Sequence, residues 1–182
     1  EGEKLDVIYK DTISDMAAVK VALLLPFRAK VFDTVPSQDI FKTRALPNIV
    51  TDFYLGAALA VDSLRNKGIQ IDFSVFDTED RNTKIDDIIT DNSLEDKDVI
   101  IGSIYSDETI KLANSVNAPL VFPVFSKAQT SFTSSRIVKT SPDKHLYKEK
   151  LLSYVSKEYK NENIIIVGDS TAASISEINQ IA

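Results

Sequence analysis

From Val19 onward, short apolar runs alternate with longer stretches whose apolar residues fall three or four apart. The runs are 20–25, 69–76, 98–102, 120–123, 136–139 and 163–168. Each is rich in β-branched or aliphatic residues and too short for a buried helix, so each predicts a strand. Continuous apolar strands suit a sheet covered on both faces, which is the habit of parallel sheets.

The intervening stretches predict helices. In 48–67, Ile49, Phe53, Ala57, Ala60, Val61 and Leu64 form one stripe, with Asn48 as the expected cap and Gly68 as the left-handed exit residue. In 82–91 the stripe is Ile85, Ile88 and Ile89. In 106–116 Ser106 is the expected cap, Asp107 and Glu108 favour the positive end of the helix dipole, and Ile110, Ala113 and Val116 are expected to face inward. Ser141-Pro142-Asp143 reads as a helix start, with proline at the first helical position, followed by the apolar face Tyr147, Leu151, Tyr154 and Val155. A last helix is expected over 171–182. The stretch 27–47 has no clear period and predicts a long loop, made basic by Arg28, Lys30, Lys42 and Arg44.

Strand–helix alternation of this kind predicts an α/β fold: an open parallel sheet flanked by helices on both faces. In such sheets ligands bind beyond the carboxyl ends of the strands. Those ends fall at Pro26-Phe27, Asp77-Thr78, 102–106, 124–127 and 168–170.

Composition narrows the chemistry. The chain has 182 residues, 43% of them apolar, which allows a real core, and a net charge of -6, which disfavours nucleic acid and anionic lipid as partners. It has no cysteine, so disulfides and thiolate metal sites are excluded. Its single histidine, His145, has no second histidine with which to build a metal site and reads as a surface residue. The serines lack a G-x-S-x-G elbow, and Pro26-Phe27-Arg28 stands where a dinucleotide fold needs a glycine-rich turn. Asp77, Glu79 and Asp80 therefore read as a solvated acidic turn. No enzyme, no cofactor and no metal is expected. No apolar run approaches the ~18 residues of a membrane span.

Four stretches, in this order, resemble the type I periplasmic binding proteins, the leucine/isoleucine/valine-binding family of receptors: 20–27 (KVALLLPF), 48–68 (with F-Y-x-G-A-x-x-A-V-D-S-L), 98–106 (DVIIGSIYS) and 118–126 (APLVFPVFS). A narrower likeness is to envelope-associated members, the LysM-linked proteins and the activators of penicillin-binding proteins. The resemblance implies a flavodoxin-like N-terminal lobe over 19–139, a linker or arm over 1–18, and the beginning of a second, truncated lobe over 140–182. It implies an exported, periplasmic or envelope-associated protein whose leader has been removed. The function implied is non-catalytic binding of a small polar, amino-acid or peptide-like ligand in a cleft between lobes. The alternative is a protein–protein docking module that regulates cell-wall machinery. Peptidoglycan, a cell-wall protein or a transport protein are the partners either reading implies.

The same resemblance carries over the candidate ligand residues. Ser106 matches the family's serine that holds a ligand carboxylate, though an ordinary helix cap is its plainer reading. Phe125, Ser126 and Lys127 match a turn that offers backbone and hydroxyl contacts. The family has small residues there, so Phe125 and Lys127 put a free amino acid in question. Lys127 either meets an anionic ligand or is solvated. Tyr105 either stacks on a ligand or packs beneath the long loop.

Overall fold

A computed structural model describes residues 18–43 and 45–181; residues 1–17 of the expected arm, and Arg44 of the basic stretch, lie outside the described residues. Five strands form one sheet: β1 (Val19–Leu25), β2 (Ile71–Asp77), β3 (Val99–Ile101), β4 (Leu120–Phe122) and β5 (Ile137–Lys139). Their spatial order is β2-β1-β3-β4-β5 and every pairing is parallel. This is the doubly wound order whose direction reverses between β1 and β3, and that reversal opens a crevice at the carboxyl ends of the two strands.

The central strand shows why the sheet forms. Ala22, Leu23, Leu24 and Leu25 are all fully buried. Successive side chains of a strand point to opposite faces, and here they feed two cores. Ala22 and Leu24 pack with Ile85, Ile100, Leu112 and Leu120 beneath α4 (Ile85–Thr90) and α5 (Ser106–Ser115). Leu23 and Leu25 pack with Val50, Phe53, Tyr54 and Ala57 of α3 (Ala45–Asn66). Each such leucine contributes roughly 1.5–3 kcal/mol by leaving water.

The stretch 27–47 is not a structureless loop. It holds two short helices, α1 (Ala29–Phe32) and α2 (Ser37–Thr43), and α3 begins at Ala45. Pro47 lies in the first turn of α3, where its missing N–H has no intrahelical partner to lose. Asn48 is therefore inside the helix and does not cap it; its Nδ2 donates to the Phe41 carbonyl at 3.1 Å. The buried stripe of α3 also differs from the expected one: Val50 and Val61 are buried, whereas Ile49, Ala60 and Leu64 face solvent. On α5 the inward residues are Glu108, Thr109, Leu112 and Ala113, with Val116 buried just beyond the helix, and Ile110 faces outward.

The chain divides into two compact units, the first ending at Thr140 and the second starting at Ser141. The second unit contains α6 (Lys144–Glu158) and α7 (Ala172–Ile181). α6 starts after Asp143, so Pro142 precedes the helix and does not occupy its first position. Of the expected face, Tyr147, Leu151 and Tyr154 are exposed and Val155 is half-buried. The expected strand over 163–168 is absent: residues 161–170 have no regular structure and all are exposed. A strand needs a hydrogen-bonded neighbour, and no other strand is present among the described residues of this unit. Among the described residues no helix is long and apolar enough to cross a membrane.

Candidate functional site

The carboxyl ends of β1, β2, β3 and β4 lead into four connections, and side-chain hydrogen bonds tie these to one another. Asp77 ends β2. Its carboxyl group accepts from the backbone N–H of Arg28 (3.0 Å), Ala29 (2.8 Å) and Glu79 (2.8 Å). It therefore serves as a surrogate cap for α1 and pins the start of the β1–α3 connection, where Arg28 adopts a left-handed conformation (φ 59°). The acidic turn is thus engaged and not simply solvated. Arg28 in turn pairs with Asp80 (Nε to Oδ1 2.8 Å).

The turn from β3 into α5 is organised by Glu108, a residue the sequence reading placed only as a dipole-favouring acid. It is fully buried. Its Oε1 accepts from the Asn82 backbone N–H at 2.6 Å, and its Oε2 accepts from the Ser103 hydroxyl. Ser103 Oγ accepts in turn from the Tyr105 N–H at 3.1 Å. Thr109, also buried, donates from Oγ1 to the Tyr105 carbonyl at 2.9 Å. The 103–106 turn is thereby fixed from both sides.

On that turn Tyr105 precedes the helix and Ser106 is its first residue. Ser106 does not cap α5. Its hydroxyl donates instead to Ser126 Oγ at 2.9 Å, across from β3 to β4. Ser126 is held by its own capping box on the short 3₁₀ turn Lys127–Ser131: its Oγ accepts from the Ala128 N–H at 3.2 Å, and Gln129 Oε1 accepts from its N–H at 3.2 Å.

Tyr105, Ser106, Ser126 and Lys127 line one open hollow of about 550 Å³, together with Arg81 and Asp107. Phe125 is not among its lining residues; its side chain is half exposed beside it. Arg81 donates from Nε to both Asp107 oxygens (3.0 and 3.1 Å), and its guanidinium carbon lies 5.6 Å from the Tyr105 ring centre. Asn82 Nδ2 donates to Asp107 Oδ2 at 2.6 Å. Burial pushes the Asp107 carboxyl up, but the hydrogen bonds from Asn82 and Arg81 outweigh it and hold the group below its ordinary value. Burial, followed by the Glu108 and Asp80 carboxyls, raises the Tyr105 hydroxyl above its ordinary value against the opposing charges of Arg28 and Arg81.

Four of the five expected ligand residues thus meet at one hollow. Arg81, Asp107 and Glu108 complete the arrangement and were not expected in it. The signal for Glu108 was present: an acid in the first turn of a helix whose neighbours Thr109 and Leu112 share its face. Among the described residues no group of three His, Cys, Asp or Glu side chains is placed to hold a metal. A second hollow, of about 370 Å³, lies at the opposite rim between Asn92–Glu95 and Ser115–Asn117, where the strands begin. Ligands in open parallel sheets bind at the other rim, and this hollow has no comparable pair of hydroxyls.

No family model matches the chain, and no curated protein matches it. Solved structures do. An ABC transporter substrate-binding protein from Desulfitobacterium hafniense, in complex with Leu, superposes with a TM-score of 0.52 at 15% identity, covering 88% of this chain and 45% of that one. An ABC transporter substrate-binding protein from the same organism gives a TM-score of 0.51 at 14% identity, with the same coverage. This chain thus spans under half the length of the proteins whose fold it shares. At such identity the likeness establishes the fold, an α/β architecture with the parallel sheet of a substrate-binding protein lobe.

Proposed function

We propose that the chain is a non-catalytic solute-binding module of the cell envelope, in which residues 19–139 form a first lobe and residues 140–182 open a second. Its ligand is a small polar, amino-acid or peptide-like molecule held at the carboxyl rim of the sheet. The observation that carries this reading is the Ser106–Ser126 hydroxyl pair, which joins the ends of β3 and β4 beside the β1/β3 reversal and lines the hollow with Tyr105 and Lys127. The Leu-bound neighbour supports it as an analogy of fold.

In this reading the rim acids Asp77, Asp107 and Glu108 serve the structure. Asp77 is taken up by three N–H groups, Asp107 by Arg81 and Asn82, and Glu108 by Asn82 and Ser103. A general base needs an open lone pair directed at substrate, and these three are spent on structure.

The test is thermal denaturation of the 182-residue chain with amino acids, dipeptides and muropeptides. A ligand at a hundred times its Kd adds about 2.7 kcal/mol, or a rise of about 5–11 °C for a chain of this size. S126A is expected to abolish that rise. No rise with any of these compounds would favour a second reading, a docking module for a cell-wall protein. Phe125 supports that reading, since a half-exposed aromatic is the kind of residue enriched at protein-binding surfaces.

A further inference from the structure

The charge and the hydrogen-bonding capacity of the hollow restrict what it accepts. Its charged lining consists of Arg81, Lys127 and Asp107, two cations against one carboxyl, on a chain whose net charge is -6. Both Asp107 oxygens are already occupied by Arg81 Nε and Asn82 Nδ2. Arg81 spends only its Nε on that contact; its two Nη groups have no acceptor among the described residues. The Lys127 ammonium likewise has no ion-pair partner among them.

The hydroxyls tip the balance the same way. Ser126 Oγ and Ser106 Oγ share one hydrogen bond, and Ser126 Oγ also accepts from the Ala128 N–H. A hydroxyl has one proton to give and two lone pairs. Whichever way the shared proton points, one of the two hydroxyl protons remains for a ligand. The hollow therefore offers a hydroxyl donor, an ammonium and the outer half of a guanidinium, while its one carboxyl is already engaged.

Resting on the reading of this rim as a solute site, we infer that the solute carries net negative charge: it is a small acid-bearing molecule met by Lys127 and the Nη groups of Arg81, and not a neutral aliphatic amino acid. Lys127 is then the specificity-determining residue. A neutral ligand would leave the Lys127 ammonium facing the solute without a counter-charge and the Arg81 Nη groups without an acceptor.

The test compares glutamate with glutamine, which differ by one charge at nearly constant shape, with leucine as the neutral aliphatic control. Binding to the 182-residue chain is measured by calorimetry. A hydrogen-bonded charge is worth about tenfold in affinity or more, so glutamate is expected to bind at least ~10-fold tighter than glutamine. K127M, a change at an exposed position, is expected to erase that difference by weakening glutamate. Added salt is expected to weaken glutamate alone, a readout that needs no variant. Leucine or glutamine binding as tightly as glutamate, unchanged in K127M, would overturn the inference and leave the solute-binding reading standing. Binding of none of the three, with no rise in melting temperature for any dipeptide, would remove both.

Discussion

Replacing Glu108 probes the geometry on which the candidate site depends. The side chain is fully buried and accepts two hydrogen bonds, one from the Asn82 N–H on the β2–α4 connection and one from the Ser103 hydroxyl on the β3–α5 turn. Alanine leaves the buried Ser103 hydroxyl and the part-buried Asn82 N–H without this acceptor. Each unsatisfied donor costs about 1–3 kcal/mol, and the emptied volume adds to that. The expected loss for E108A is about 3–5 kcal/mol. Glutamine is the informative partner. It keeps a carbonyl oxygen for the Asn82 N–H and turns the other acceptor into an amide donor, which the Ser103 hydroxyl can accept after rotating. Its expected cost is smaller, about 1–2 kcal/mol. The assay is urea denaturation followed by circular dichroism, with the midpoint and the slope recorded so that a change in the unfolded state is visible. A loss below ~1 kcal/mol for E108A, or equal losses for the two variants, would refute the clamp, because either result means that these two donors do not depend on Glu108.

Further expectations concern neighbouring groups. Gly102 has a φ of +105°, and a Cβ there would lie 2.1 Å from the Leu24 carbonyl oxygen, so G102A is expected to cost ~4 kcal/mol or more and to fail to accumulate as folded protein on expression. D77A removes the acceptor for three N–H groups; a loss of about 2 kcal/mol and faster proteolysis within 26–47 are expected, measured by denaturation and by limited digestion. Asp107 has a depressed carboxyl pKa in the folded chain, so its contribution is present above the unfolded value of about 3.9 and is lost as pH falls through the lower folded value. The gap in melting temperature between the parent chain and D107N should therefore close on acidification from neutral pH and persist on going to pH 8; a gap that widens in acid contradicts the assignment.

The parallel sheet was legible because its signal is local. Ala22 to Leu25 form an unbroken apolar run, and such a run suits a strand buried on both faces. The strand ends, and with them the rim, followed from the same periodicity, which is why Ser106 and Ser126 could be placed near one another before any coordinates. What each hydroxyl does there was not legible: whether Ser106 caps its own helix or crosses to Ser126 depends on a neighbour twenty residues away. The same limit applies to α3, where both candidate faces of the helix carry apolar residues and only the packing partners Leu23 and Leu25 decide that Val50 turns in and Ile49 out. The run 163–168 has the local signal of a strand without the partner that makes one. Arg81, Asp107 and Glu108 became part of the site through long-range hydrogen bonds, from Arg81 to Asp107 and from Asn82 to Asp107 and Glu108, for which a single sequence carries no pattern.

The central claim, that a solute is held where β3 and β4 end, is tested most directly by titrating the ¹⁵N-labelled chain with glutamate and with a dipeptide while following its amide resonances. The account predicts shifts concentrated at Ile104–Asp107 and Ser126–Ala128, saturating together at a single affinity. Spectra unchanged at millimolar ligand, or shifts gathered at Asn92–Glu95 and Ser115–Asn117 on the opposite rim, would contradict it.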